Sequence, residues 1–98
     1  MEYQKEEILK IIKSFKNKFY QIYGVTDIGI FGSYSDGTPS AVSDVDVVVK
    51  LKNADLFYLV HIKETLESEL NTKVDIVQYR DKMNPYLKKQ IDSNAIFV

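Results

Sequence analysis

Two aspartates separated by a single residue, Asp44 and Asp46, open a run of valines in the middle of the chain. Side chains alternate between the faces of a strand, so a strand over residues 44–51 would point both carboxylates the same way. Aspartate is depleted in strands, and two carboxylates ~4 Å apart repel by about 4 kcal/mol at an effective dielectric constant near 20. We therefore expect a positive charge to compensate this pair.

A third aspartate, Asp75, lies between Val74 and Ile76 in a later apolar segment. If that segment is a strand that pairs beside the strand over residues 44–51, one face of the sheet carries three carboxylates. The chain has no cysteine and a single histidine, His61, which we expect at the surface rather than at a metal site. A cluster of oxygen ligands alone suits a hard cation, so the pattern predicts Mg²⁺, or Mn²⁺, held by Asp44, Asp46 and Asp75.

The pair Gly32-Ser33 follows the first apolar strand-like segment, where a helix could start. A glycine there lets the backbone approach a phosphate closely, and N–H groups together with a serine hydroxyl can donate to phosphate oxygens. Taken alone, an ordinary turn is the simpler explanation of this pair. Beside a metal site it would suit phosphoryl or nucleotidyl transfer, in which positioning and charge neutralisation drive the reaction.

The hydrophobic pattern of the chain predicts a small α+β fold, a mixed β-sheet with helices packed on one side. An apolar stripe at spacings of three and four indicates the first helix, which Gly24 caps, and Asn84-Pro85 indicates the start of the last one. The last four residues could form an edge strand or pack on the core. The predicted elements are a helix over 2–23, strands over Val25–Phe31 and 44–51, a helix over 53–70 capped by Asn53, a strand over 73–79 and a helix from Pro85. The helix over 53–70 is expected to direct five apolar side chains toward the core, namely Leu56, Leu59, Val60, Leu66 and Leu70.

Composition narrows the class of protein. The 98 residues fit one domain over 1–98, and 45% hydrophobic with 28% charged residues is typical of a soluble globule. A net charge of −1 predicts no direct nucleic-acid binding, and the absence of a long apolar run or signal peptide makes the cytoplasm the expected location. A basic group after the third strand could steer an anion or be a solvated face. Its members are Arg80, Lys82, Lys88 and Lys89.

Gly32-Ser33, ten intervening residues and then Asp44-Val45-Asp46 resemble the signature of the nucleotidyltransferase superfamily that shares the polymerase β palm. The segment around Asp75 resembles that family's strand for the third carboxylate. The resemblance extends over most of the chain and points to the stand-alone minimal members, the MNT domains, which are commonly antitoxins of helical HEPN ribonuclease toxins. It implies a nucleotidyltransferase that moves AMP from ATP to a toxin tyrosine.

The resemblance also implies a role for each site residue. Asp44 and Asp46 would bind the metal that bridges the triphosphate, and Gly32 with Ser33 would hold its terminal phosphates. Asp75 would share the metal and orient the proton of the incoming hydroxyl. One departure is that Asp36 stands where many relatives have a basic residue, before Gly37, which would remove a phosphate contact.

Three functions are consistent with the sequence. The first is a protein adenylyltransferase antitoxin with a HEPN-type toxin as its partner. The second is an antitoxin that neutralises its partner by binding alone, which the acidic residue at position 36 keeps open. The third is a small-molecule nucleotidyltransferase of the antibiotic type, but such relatives generally carry an added acceptor domain. A partner protein is the simplest source of acceptor specificity for a chain of this length.

Overall fold

The computed structural model describes residues 5–32 and 44–98, which form three helices and four strands. Every predicted helix and strand is present, and the last residues form the edge strand that the sequence left undecided. In chain order the elements are α1 (Lys5–Tyr23), β1 (Val25–Phe31), β2 (Val45–Leu51), α2 (Leu56–Leu70), β3 (Val74–Gln78), α3 (Pro85–Asn94) and β4 (Ile96–Phe97).

The four strands form one mixed sheet in the order β3-β2-β1-β4. β1 pairs antiparallel with both β2 and β4, whereas β2 and β3 run parallel and are joined through α2. The parallel pair requires a long crossover, which the helix supplies. The α+β class and the mixed sheet are therefore confirmed, and β3 lies at one edge of the sheet, β4 at the other.

One face of the sheet is covered by α1 and α2. On this face, β2 contributes every second residue to the core. These residues are Val45, Val47 and Val49, and all three are fully buried, as the two-residue period of a strand requires. Gly24, with φ of 73°, ends α1 and donates its N–H to the carbonyl of Tyr20. The remaining fully or almost fully buried members of this cluster are Ile8, Ile12, Phe19, Val25, Ile28, Ile30, Ile62, Leu66, Leu70 and Val74.

The other face of the sheet carries α3, so helices lie on both sides rather than all on one. Ile91 of α3 packs with Phe31 and Val48 in a second, smaller cluster. Asn84 caps α3 by accepting hydrogen bonds from the N–H groups of Tyr86 and Leu87, as the Asn-Pro pair predicts. The sequence did not predict that α3 lies on this side of the sheet, because α3 buries only one side chain. A single buried residue is too little periodicity to assign the helix to a face.

The start of α2 differs from the prediction. Asp55, not Asn53, is the N-cap, and its carboxylate accepts from the N–H of Phe57 at 2.9 Å. Leu56 and Val60 were expected in the core, but their side chains are 77% and 46% exposed. Ile62 is instead fully buried. Residues 60 and 62 lie about 200° apart around a helix, so they cannot share a face. The apolar residues of α2 therefore form two faces, and only one of them is covered.

Backbone contact holds β4 against β1 at a glycine. A Cβ placed on Gly29 would clash with the carbonyl oxygen of Ile96 and lie 2.8 Å from the Cα of Phe97. The pairing continues through Val98, whose N–H donates to Ile28 and whose carbonyl accepts from the Lys16 amine at 2.6 Å. Within residues 5–32 and 44–98, no helix is both long and apolar enough to cross a bilayer.

We expect Gly29→Ala to displace β4 and to lower the free energy of unfolding by about 1–3 kcal/mol, the usual cost of forcing an atom into a packed site. Urea denaturation measures the loss, and hydrogen exchange locates it at residues 96–98. Thr26→Ala, at an exposed position of the same strand, is the control. Unchanged protection of residues 96–98 in Gly29→Ala would contradict the packing.

Candidate active site

The sheet brings Asp46 and Asp75 side by side. In the register of the parallel pair Asp46 lies opposite Asp75, and on its other side Asp46 lies opposite Phe31 of β1. Neighbouring strands are ~4.8 Å apart and residues in register share a face, so the two carboxylates project from adjacent positions on the α3 side of the sheet. The sequence-based condition for one acidic face, that the strand carrying Asp75 pairs beside the strand carrying Asp46, is met by this register.

The carboxyl group of Asp46 is held in an unfavourable electrostatic environment. Burial first, and then the negative charges of Asp75 and Asp44, together raise the pKa of Asp46 from 3.8 to about 6. The desolvation has a visible source, because Phe31 beside Asp46 is only 5% exposed. A carboxylate with this combination of burial and like charge is typical of a functional site, and the excess negative charge would attract a cation.

Gly32 lies directly against this carboxylate. Its φ of 76° is in the left-handed region, and a Cβ there would clash with an Asp46 carboxylate oxygen and lie 3.2 Å from its Cγ. Glycine adopts this conformation without strain, so it ends β1 and turns the backbone beside Asp46. The structure therefore places the glycine of the Gly-Ser pair next to Asp46, and its role beside the phosphates stays a prediction.

Of the other predicted site residues, Asp44 lies within the described residues and Ser33 lies outside them. Asp44 directly precedes β2 and is half-buried, and its charge acts on Asp46. Ser33 lies outside the described residues, and so does Asp36, so the predicted hydroxyl contact and the departure at position 36 stay predictions. Across the described ranges, no group of three or more His, Cys, Asp or Glu side chains stands close enough together to hold a metal ion.

The donor chemistry nevertheless fits a hard cation. Asp46 and Asp75 supply carboxylate oxygens from neighbouring strands, and Asp44 contributes negative charge to the same point. Oxygen ligands without sulfur or imidazole suit Mg²⁺, and a cation at Asp46 would remove the repulsion that raises the pKa of its carboxyl group. Coordination by all three aspartates is a prediction that the structure leaves open.

Among the basic residues after β3, Arg80 and Lys88 lie beside other described groups. Arg80 lines a cleft beyond the last residue of β3, and the Lys88 amine lies 5.9 Å from the centre of the Tyr79 ring. A role in steering triphosphate stays a prediction. Sequence reasoning had made Phe31 the last residue of the first strand but had missed its place beside Asp46. Its position at the end of an apolar strand, directly before Gly32-Ser33, was the available signal.

The chain is similar to a known protein family over most of its length. The family model described as "Polymerase beta, Nucleotidyltransferase" matches residues 9–98. A relative named protein adenylyltransferase MntA, from Thermococcus cleftensis, is 31% identical over 94 residues, which cover 95% of this chain and 94% of the relative. The match extends over nearly the whole of both proteins, so the similarity is not confined to the acidic motif.

Solved structures show the same fold. A toxin–antitoxin structure with AMP-PNP contains a chain that is 30% identical, with a TM-score of 0.73, and the alignment covers 92% of this chain and 70% of that one. Another contains the tri-AMPylated Shewanella oneidensis HEPN toxin in complex with its MNT antitoxin. That likeness, at 22% identity and a TM-score of 0.71 over 96% of this chain and 71% of the other, shows the fold alone.

The raised pKa of Asp46 predicts a stability that depends on pH. A folded-state pKa above the unfolded value stabilises the fold below pH 3.8, and this stabilisation is lost as the pH rises through about 6. We expect Asp46→Asn to be more stable than the parent at pH 7.5 and equal to it near pH 4. A shift of about two units corresponds to ~3 kcal/mol, which solvent screening of this partly exposed group reduces to about 1 kcal/mol.

Thermal or urea unfolding in the presence of a chelator measures this difference across the pH range. The matched control is Asp27→Asn, which replaces a strand aspartate whose register partner is Lys50 rather than a second aspartate. A gain in stability that is absent at pH 7.5, or that grows toward pH 4, would rule out the electrostatic account of Asp46.

Proposed function

Because the chain belongs to the polymerase β nucleotidyltransferase family, we propose that it is the antitoxin of a HEPN-type toxin and that it transfers AMP from ATP to a tyrosine of that partner. The observation that carries this proposal is the pairing of Asp46 with Asp75 beside Gly32, within a chain that matches the family over residues 9–98. A nucleotidyltransferase needs this combination of acidic residues and a close backbone approach.

The donor triphosphate would lie against the turn after β1. Gly32 allows its phosphates to approach the backbone, and Ser33 would donate its hydroxyl to a phosphate oxygen. Gly32 follows the last residue of β1 and lies next to Asp46. A triphosphate held in this way would turn its α-phosphorus toward the acidic pair, which is the orientation that transfer of AMP needs.

The three aspartates would hold Mg²⁺ and the acceptor. Asp44 and Asp46 would be the metal ligands on the donor side, and Asp75 would be shared with the acceptor side. When bound, Mg²⁺ would offset the negative charge of the triphosphate and of the departing pyrophosphate. Without that charge the carboxylates would repel the donor, so the acidic residues serve the reaction only together with a cation.

The acceptor would approach from the side of Asp75, whose side chain is exposed. The acceptor oxygen forms a bond to the α-phosphorus, the bond from that phosphorus to the bridging oxygen breaks, and pyrophosphate leaves. The hydroxyl proton passes to Asp75 or to water that Asp75 orients. A tyrosine hydroxyl fits this scheme because it ionises with a pKa of about 10. Its phenolate is therefore far more accessible near neutral pH than the alkoxide of an aliphatic alcohol.

The relatives support the choice of donor and partner. One is named a protein adenylyltransferase, one was solved with AMP-PNP in a toxin–antitoxin structure, and one accompanies an AMPylated HEPN toxin. We place the reaction in the cytoplasm, where ATP is available. Neutralisation by binding alone and transfer to a small molecule are the two competing functions, and both are outcomes of the following experiment.

Incubation of the protein with ATP, Mg²⁺ and an unmodified HEPN partner should add one or more AMP units to the partner, as measured by intact-protein mass spectrometry. We expect Asp46→Asn to lower the rate at least about 10²-fold, because it removes a charge needed in the transition state. The control is Asp27→Asn, which should retain the parent rate. A stable complex with no mass change would instead establish neutralisation by binding.

Removal of the metal should abolish donor binding. We expect isothermal titration calorimetry with AMP-PNP to detect binding in millimolar Mg²⁺ and to detect none in a chelator, because the acidic pair repels an unaccompanied triphosphate. Asp46→Asn should bind less tightly in Mg²⁺. Equal affinity with and without Mg²⁺ would exclude the proposed role of the aspartates as metal ligands.

A further inference from the structure

The strand that carries Asp75 has an open edge. β3 is the outermost strand of the sheet on its side, and its backbone bonds to β2 at alternate residues, with the Tyr79 N–H donating to Val49 and the Lys73 carbonyl accepting from Val45. The backbone groups of the residues between them, Val74, Ile76 and Gln78, therefore point outward. The Glu67 carboxylate accepts from the Val74 N–H at 3.0 Å and so covers the first of these donors.

The outward groups of Ile76 and Gln78 border a cleft of about 450 Å³. Three consecutive residues of β3, from Ile76 to Gln78, line this cleft although their side chains alternate between the faces of the sheet. Leu56 and Leu59 of α2 line it from one face, and Leu87 of α3 lines it from the other together with Met83, which precedes that helix. Only the free edge of β3 is accessible to both helices, so the cleft is a groove along that edge.

The groove has apolar walls and a cation at one end. Leu56, a wall residue that is 77% exposed, is the most exposed of the large apolar side chains in the described residues. Of the two charged residues in the groove, Asp55 uses its carboxylate to accept from the Phe57 N–H, whereas Arg80 supplies a positive charge. An exposed strand edge between apolar walls is a known site for the addition of an extended segment.

On the basis of the proposed function, we infer that an extended segment of the acceptor protein binds along the β3 edge as an added strand and presents its tyrosine to Asp75. The strand connects the groove to the site, because Asp75 lies three residues, or about 10 Å, from Gln78. An extended segment of about three residues spans the same distance. The groove selects a segment with apolar side chains and an acidic group that pairs with Arg80.

Position also distinguishes this occupant from a second copy of the chain. Pairing of β3 with β3 of another copy would occupy the strand that carries Asp75 and would bring the Glu67 carboxylates of the two copies to the same edge. Such a dimer would close the approach of an acceptor to the site and would add like charges across the new pairing. An acceptor segment uses the same backbone groups without either cost.

Hydrogen exchange tests the inference without requiring catalysis. The Asp46→Asn protein is mixed with an unmodified HEPN partner in the absence of nucleotide, and amide exchange is followed residue by residue. We expect exchange at Ile76 and Gln78 to slow at least tenfold in the complex, with Ile28 in β1 unchanged. A complex that leaves Ile76 and Gln78 unprotected would overturn the inference, as would protection that increases with the concentration of the chain alone.

Substitutions in the groove distinguish binding of the partner from catalysis. Leu56→Lys changes an exposed wall residue, and Gln78→Pro removes an outward N–H that edge strands can spare. We expect each to raise the KM for the partner about tenfold, with kcat and the KM for ATP unchanged. Ile22→Lys, at a 53% exposed position of α1, is the control and should match the parent.

Unchanged partner KM in both groove variants would contradict docking at this edge. The two proposals fail in different ways. If AMP transfer occurs but Ile76 and Gln78 are never protected, the docking site is wrong and the enzyme stands. If both residues are protected but no AMP is transferred, the edge is a binding site and the adenylyltransferase proposal fails.

Discussion

The parallel register of β2 and β3 forces two carboxylates into adjacent positions, and the packing around β2 maintains this arrangement. Asp46 is in register with Asp75, and the buried Phe31 on its other side limits the water that could screen the charges. The fold tolerates this arrangement because the alternate residues of β2 anchor the strand in an apolar core. The unfavourable charge pair is thus stabilised from the opposite face of the sheet.

The two faces of the sheet divide the work of stability and chemistry. On the face of α1 and α2, Val45, Val47 and Val49 bury their side chains fully, whereas on the other face Asp46 precedes Val48 and the smaller cluster under α3. A one-residue shift of β2 would bury the carboxylates and expose the valines. The register that creates the active face is therefore fixed by the hydrophobic face, and the site needs few stabilising contacts of its own.

The sequence predicted the elements that depend on local chemistry. Asn84-Pro85 marks the start of α3 and Gly24 the end of α1, because caps require particular side chains or backbone angles at one position. The acidic neighbours on β2 and β3 followed from strand alternation and the family spacing. Prediction was less successful where tertiary packing decides. The apolar face of α2 at Leu56 looks like core in the sequence but is exposed, and no local pattern specifies that α3 crosses to the other face.

In the proposed mechanism, a bound cation relieves the electrostatic repulsion at Asp46. Carboxyl-carbon NMR titration of the protein measures this directly, with Asp46→Asn used to assign the resonance. We predict that Asp46 titrates near pH 6 in a chelator and that millimolar Mg²⁺ with AMP-PNP moves its pKa below its ordinary value. A pKa of ordinary value in the chelator, or one that Mg²⁺ and the nucleotide leave unchanged, would contradict the account.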